Sequence, residues 1–432
     1  MMMKLFVSIF VTIALVLSSQ NNYYGVQAVC NGVPNVNGIW NDTLVFNSSV
    51  ENGKLYTAGS LGNQVPVVHV YGTPYEMGYA QGLLLKTQIQ YVYANIFKYF
   101  DKEIAGFSGV PEWAVKIIED GGLSLVLDMV AFGVKDHTPE RFFQEIQGIA
   151  DATGVDKDEI IRVHMIPELL RASCSMFGGW GSATPNGGLL QLRALDWVVD
   201  SPLTVNPAVV VYHPSEGGHP FTILSWAGFI GSLTGYSGYT GVSEKVWANY
   251  NGTFNRFGTP FYYVMRDILQ FDTTVDQAID RIFNTKRTCA VYMGVGSNST
   301  NTFTAVEYSY DTVRIFDDTT PFPIYSPQPA PHELIKNVVY IDPDYKSAQD
   351  QCMTDLLNKY YGDLTTENTQ QLIALLQTGN THAAIYDYAL NTFTVSVATQ
   401  TGSWPVTSPI ANAYTRQFIK LDATQLFNEP KP

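Results

Sequence analysis

The chain predicts an α+β fold with helices first and antiparallel strands after them. Three observations carry this. Apolar residues recur at helical steps through most of the chain before residue 170, short apolar runs broken by Gly and Asn recur after it, and helical segments return between those runs. The 432 residues are 46% hydrophobic, 13% aromatic and only 15% charged, which supplies a large core. No Pro/Ser-rich linker, repeat or low-complexity tract interrupts them, so one integrated unit is expected.

At the start, Lys4 precedes an apolar run from Leu5 to Leu17, and Val26-Gln27-Ala28 follows as a small-residue cleavage pattern. The run is too short to span a membrane comfortably, and the pattern predicts a signal peptide over residues 1–28, cut after Ala28. No later run reaches the ~18 apolar residues of a membrane helix. A soluble mature protein in a secreted or lysosomal lumenal setting is the expectation. Four sequons agree with that route, at Asn41, Asn47, Asn251 and Asn298. A net charge of −14 and a pI near 4.9 argue against a nucleic-acid partner and suit an acidic compartment.

The next segments read as helices. Glu76 to about Phe100 is one long helix, Pro111 to Val134 a helical pair around Gly121-Gly122, and Thr138-Pro139 an N-cap and first turn leading to Gly154. Asp156 to Leu170 follows with acidic residues at its front. The stretch containing Ile117, Ile118, Leu125, Met129 and Phe132 is more apolar than one buried face requires. It reads as a core helix or, alternatively, as a surface for lipid, membrane or a lipid-carrying partner. Strands are expected at 208–212, 221–225, 291–295, 303–308, 312–316 and 338–341, with helices at 260–269, 275–283, 348–360 and 367–377.

Everything turns on Arg171 to Asp196, where the pattern changes from helix to hairpin at Cys174, with Asn186-Gly187 as the turn. If the bond between Ser173 and Cys174 breaks, the new α-amine lies beside the thiol and can act as its base without a histidine. The returning strand brings Arg193 and Asp196 back beside Cys174, a guanidinium for an oxygen and a carboxylate to orient the amine. Taken alone, the same residues also fit a small buried thiol and a surface ion pair. Other chemistries lack their motifs. The seven histidines show no zinc-ligand spacing, GYSGY around Ser237 lacks the final glycine of a nucleophile elbow, and no phosphate-binding loop occurs.

The constellation resembles the N-terminal-nucleophile (Ntn) hydrolases, in particular the acid ceramidase and N-acylethanolamine acid amidase group, with penicillin acyltransferase and phospholipase B-like proteins further out. The likeness runs from about Tyr71 to Cys352. CSMF followed by RALDW matches the nucleophile and Arg-x-x-Asp, although Ala194 stands where relatives usually carry Asn. WAGFIGSLTGYSGYTGVSEK matches a Gly-rich turn running into a strand with an acid, here Glu244. YGTPYEMGYAQGLLL is similar to the opening helix of the acyltransferase relatives, and KNVVYIDPD puts Asn337 near the family's oxyanion asparagine. The arginine these enzymes keep downstream of that asparagine has no counterpart.

The resemblance implies a four-layer αββα sandwich, self-cleavage between Ser173 and Cys174 into fragments 29–173 and 174–432, and hydrolysis of a lipid-like N-acyl amide without metal or cofactor. It implies Cys174 as nucleophile, Asp196 orienting the amine, Arg193 and Glu244 lining the site and Asn337 supporting the oxyanion. It also favours a Cys30–Cys352 disulfide, where the residues alone equally allow Cys289 with Cys352. Two other functions fit the residues: a phospholipase B-like or acyl-transferring enzyme, and a non-catalytic secreted glycoprotein that binds lipid through the apolar stretch.

Overall fold

The computed structural model describes residues 30–103, 112–169, 173–247, 250, 252–253, 255–322, 333–341, 352–399 and 410–432. The expected signal peptide 1–28 and the sequon at Asn251 lie outside the described residues. Two sheets carry the fold. The larger contains β1 (Val45–Val50), β2 (Gly53–Ala58), β3 (Val65–Gly72), β6 (Pro207–Pro214), β7 (Phe221–Trp226), β8 (Thr234–Tyr236), β9 (Thr240–Val246), β10 (Ala290–Ser297), β11 (Thr302–Ser309) and β12 (Val313–Phe316), in that order across the sheet. The smaller has the order β13 (Val338–Ile341), β4 (Ser173–Gly179), β5 (Leu190–Asp196), β14 (His382–Asp387), β15 (Thr392–Val397) and β16 (Ile419–Asp422). Within these ladders β3 and β6 run parallel and the other neighbours antiparallel.

Three apolar interfaces make four layers. Met176, Tyr236, Tyr292 and Ala384 meet between the sheets. Outside the larger sheet pack α1 (Pro74–Leu84), α2 (Lys86–Glu103), α3 (Glu112–Gly121), α4 (Leu123–Lys135), α5 (Glu140–Thr153), α6 (Lys157–Leu169), α7 (Phe261–Phe271) and α8 (Val275–Asn284), buried through residues such as Ile96, Ile146 and Ile268. Outside the smaller sheet, α9 (Cys352–Lys359) and α10 (Thr366–Leu376) cover Phe177, Leu192 and Ile385. The order is the expected αββα. Alternation along β4 explains the split, since Met176 faces the other sheet while Phe177 faces the helices. A short helix, α11 (Ala423–Asn428), closes the described chain.

The structure corrects several expectations. The region before Cys174 is not almost wholly helical, because β1 to β3 precede α1; Val65, Val67, Val68 and Val70 are β-branched and fully buried, which suits a strand covered on both faces. The single helix over 76–100 is two, broken at Leu85. Thr138 is not an N-cap: its hydroxyl donates to the Val134 carbonyl at 2.9 Å, finishing α4, and Pro139 occupies the cap of α5. Asn186-Gly187 does not close a tight hairpin, because a short 3₁₀ turn at Gly181–Ala183 lengthens the loop. Strands β14 to β16 were not expected at all, whereas β9 lies where the resemblance put a strand carrying Glu244. Asn391, at φ 50°, makes the turn between β14 and β15.

Two features tie the helical layer down. Helices α1 and α5 touch backbone to backbone, and a Cβ at Gly78 or Gly148 would sit 2.0 Å from the Glu145 carbonyl oxygen or 2.2 Å from that of Tyr75. Cys30 and Cys352 form a disulfide, so the pairing implied by the resemblance is the one present, and Cys289 takes no part in it. The apolar stretch is divided between core and surface. Leu123, Val126, Leu127 and Val130 fill the core, while Leu125, Met129 and Phe132, the last 78% exposed, line the outer face of α4.

Candidate active site

Cys174 is the second residue of β4, and its neighbours follow from register. Ser173 lies opposite Asp196, Cys174 opposite Leu195 and Met176 opposite Arg193. The smaller sheet thereby brings Arg193 and Asp196 to the Cys174 end of the strand. Glu244 arrives from β9 of the other sheet, with Cys174 Sγ 4.0 Å from its Oε2. Arg193 Nη2 donates to the same oxygen at 3.0 Å. Its Nε donates to the Leu233 carbonyl at 3.2 Å and its Nη1 to its neighbour Ala194 at 2.6 Å, so the guanidinium is held on all sides.

Asp196 leaves β5 on the opposite face from Arg193, as a three-residue offset requires. It faces the turn between α10 and β14. Its Oδ1 accepts from the Gly379 and Asn380 amides at 2.8 and 2.9 Å, and its Oδ2 from Thr378 Oγ1 at 2.6 Å. Thr378 Oγ1 also lies 2.7 Å from Ser175 Oγ, linking this carboxylate back to β4. Lys245, beside Glu244, donates from Nζ to the Cys174 carbonyl at 2.8 Å. Sequence reasoning missed Lys245 and the 378–380 turn. Two charged residues side by side in the apolar run TGVSEKV were the available signal for the first, and Thr-Gly-Asn after a helix for the second.

Apart from Asp196, which is half-buried, these charged groups are buried. Cys174 and Arg193 are fully covered, Glu244 2% exposed and Lys245 5%. Burial pushes the Cys174 thiol up to about 12, against the opposing pull of Arg193, so the uncut chain holds a protonated thiol. Burial likewise raises Glu244, with Arg193 and Lys245 drawing it back. Asp196 is raised by burial despite its three donors. His382 sits two strands from Cys174, hydrogen-bonded to Thr234 at 2.8 Å, and burial keeps it neutral. Among the described residues no group of three or more His, Cys, Asp or Glu is placed to hold a metal ion.

The structure does not bring Asn337 to this site, and the oxyanion role expected of it fails on geometry. Its neighbour Val338 pairs with Gly179, at the far end of β4 and five residues from Cys174, or about 16 Å along a strand. There Asn337 adopts φ 58° and accepts from Ser182 Oγ at 2.8 Å. It shapes a turn.

Next to the thiol's neighbours Leu195 and Glu244 lies an apolar cavity of about 50 Å³, walled by Trp197, Trp226 and Phe229 and lined from α6 by Val163 and Ile166. Glu244 is the one charged side chain lining it among the described residues, and its Oε1 has no hydrogen-bond partner. The cavity is narrower than the ~150 Å³ that admits a benzene ring.

No family model matches the chain. Over 418 residues it is 46% identical to protein dcd1A of Dictyostelium discoideum, covering 93% of this chain and 95% of that one. This chain belongs to the dcd1 proteins. The dcd1 chain is also 26% identical over 213 residues to acid ceramidase of Rattus norvegicus, which is 42% of this chain and 50% of the ceramidase. It therefore spans about half of that enzyme. Among solved structures, the Caenorhabditis elegans N-acylethanolamine-hydrolyzing acid amidase ortholog aligns with 57% of the dcd1 chain and 100% of its own, at 14% identity and a TM-score of 0.36.

Of the expected glycosylation sites, Asn41, Asn47 and Asn298 are exposed.

Proposed function

We propose that this chain is a self-cleaving amide hydrolase that acts on N-acylated lipids of the ceramide or N-acylethanolamine type through Cys174. The observation that carries this reading is a buried thiol at the head of a strand, set between the Arg193–Glu244 pair and an aromatic cavity, with an unpartnered carboxylate oxygen at their junction. The partial similarity to acid ceramidase supports it.

In the first reaction Cys174 Sγ bonds to the Ser173 carbonyl carbon and the amide C–N bond breaks. The thiol proton goes to the nitrogen, which becomes an α-amine. Water then cleaves the thioester, freeing Ser173 as a carboxylate and restoring the thiol. Fragments 29–173 and 174–432 stay joined through Cys30–Cys352. In the second reaction the amine takes the thiol proton as Sγ attacks a substrate amide, then passes it to the leaving amine. Water releases the fatty acid. Asp196 orients the amine, and backbone amides replace Asn337 as oxyanion donors, each worth ~3 kcal/mol.

The acyl chain packs in the aromatic cavity, against Trp197, Trp226 and Phe229 and against Val163 and Ile166 of α6. The exposed face of Leu125, Met129 and Phe132 meets a membrane or lipid carrier during transfer. The protein reaches a secreted or lysosomal lumen and is glycosylated at Asn41, Asn47, Asn251 and Asn298; loss of mass on endoglycosidase treatment checks this.

A panel of N-acyl amides, matched esters and an added amine acceptor tests the reaction class. Fatty acid from amides with wild type and none with Cys174→Ala is expected. Ester cleavage alone, or acyl transfer to the acceptor, would replace this reading with the phospholipase B-like or acyl-transferring one. Unchanged lipid binding by Cys174→Ala, with no turnover by either protein, would favour a lipid-binding glycoprotein.

A further inference from the structure

Four charged side chains bear on Cys174: Arg193 and Asp196 from β5, and Glu244 and Lys245 from β9. Three of them have a place in the chemistry above. Lys245 does not, yet it is 5% exposed and its Nζ lies 2.8 Å from the carbonyl of the nucleophile's own residue. A buried ammonium is costly unless its surroundings match it.

The geometry gives it two tasks. A hydrogen bond to the Cys174 carbonyl fixes the backbone on one side of the residue whose other side must change. After the Ser173–Cys174 bond breaks, Cys174 is a chain end, held by its β5 partner and by this bond. The second task is electrostatic. A cation this close keeps the amine neutral, ready to take the thiol proton, and stabilises the negative charge on sulfur as that proton leaves. Arg193 acts in the same sense on the thiol, while Glu244 and Asp196 oppose it.

We propose that Lys245 is a positioning residue that anchors the new N-terminus of Cys174, keeps its amine neutral and stabilises the thiolate that forms when the amine takes the thiol proton. This rests on the self-cleavage reading, but its key measurement does not need turnover. The test is the pH dependence of Cys174 alkylation by iodoacetamide, followed by site-resolved mass spectrometry on the full chain as it is purified. It compares wild type with Lys245→Gln, which keeps a donor but removes the charge, and Lys245→Arg, which keeps the charge.

The midpoint should rise by about one pH unit in Lys245→Gln and stay near wild type in Lys245→Arg. Self-cleavage should slow at least tenfold in Lys245→Gln, with recovery as pH is raised. An alkylation profile in Lys245→Gln that overlays wild type overturns the electrostatic role, and unchanged cleavage in Lys245→Met, which removes the donor as well, overturns the anchoring role. If Lys245→Gln does not fold, Lys245→Arg decides: a raised midpoint or lost cleavage there contradicts the proposal. Wild type that neither cleaves nor turns over substrate, yet shows the shifted midpoint in Lys245→Gln, would sink the hydrolase reading and leave the charge effect standing.

Discussion

The two ends of β4 are built in opposite ways. At Cys174 four charged side chains are gathered, three of them buried and Asp196 half-buried; at Gly179 the neighbouring side chains Asn337, Ser182 and Tyr361 are neutral and partly open to solvent, and the one carboxylate there, half-buried Asp318, accepts from the Asn337 backbone amide. Both ends are polar and both cross from one strand to another. The difference is cost. Neutral groups at a solvated turn need only ordinary hydrogen bonds, whereas buried charges must be matched group by group, and Arg193 with Glu244 is such a match. A strand end that sustains that cost beside a thiol is where chemistry belongs, and Asn337 stands at the wrong end for it.

The sharpest way to break this contrast is to remove one partner at the charged end. Glu244→Ala strands the Arg193 guanidinium, and urea unfolding should show a loss of about 3–5 kcal/mol. A loss below 1 kcal/mol would mean that water reaches the pair and that the two ends are not so different.

A smaller effect tests the helix that leads into the charged end. Glu168, on α6, accepts from Thr288 Oγ1 at 3.1 Å and from the Phe261 amide at 3.3 Å, and burial raises it to about 7. The folded chain therefore binds its proton up to about pH 7, whereas the unfolded chain releases it near 4.5. Its contribution is full below pH 4.5 and falls, by up to about 3 kcal/mol, as pH rises to 7. The difference in stability between Glu168→Gln and wild type should grow in favour of the variant across that window. A difference independent of pH would contradict the buried, protonated carboxyl.

The smallest effect belongs to the neutral end. Asn337→Gly keeps the positive φ and loses the Ser182 bond, so stability should fall by about 1 kcal/mol or less, with self-cleavage within twofold of wild type. A loss of cleavage comparable to Cys174→Ala would restore Asn337 to the chemistry.

This contrast also explains what the sequence disclosed. The change from helix to strand at Cys174, and the spacing that returns Arg193 and Asp196, are local patterns, and register made them neighbours. The αββα layering and the Cys30–Cys352 bridge came from likeness across distant segments. Asn337 was placed by order along the chain, but order does not say at which end of a strand its pair will fall. Val65 to Gly72 is apolar on both faces, so it shows no alternation to read. Lys245 was passed over, because nothing in a strand's own sequence says that both of its faces are covered.

The most direct test of the central claim is the mass of the chain on a denaturing gel, with and without reductant, for wild type and Cys174→Ala after deglycosylation. Wild type should run whole without reductant, since Cys30–Cys352 spans the break, and separate on reduction into two fragments, the larger beginning at Cys174. Cys174→Ala should stay whole in both lanes. Wild type that remains one chain under reduction from acidic to neutral pH would contradict the account.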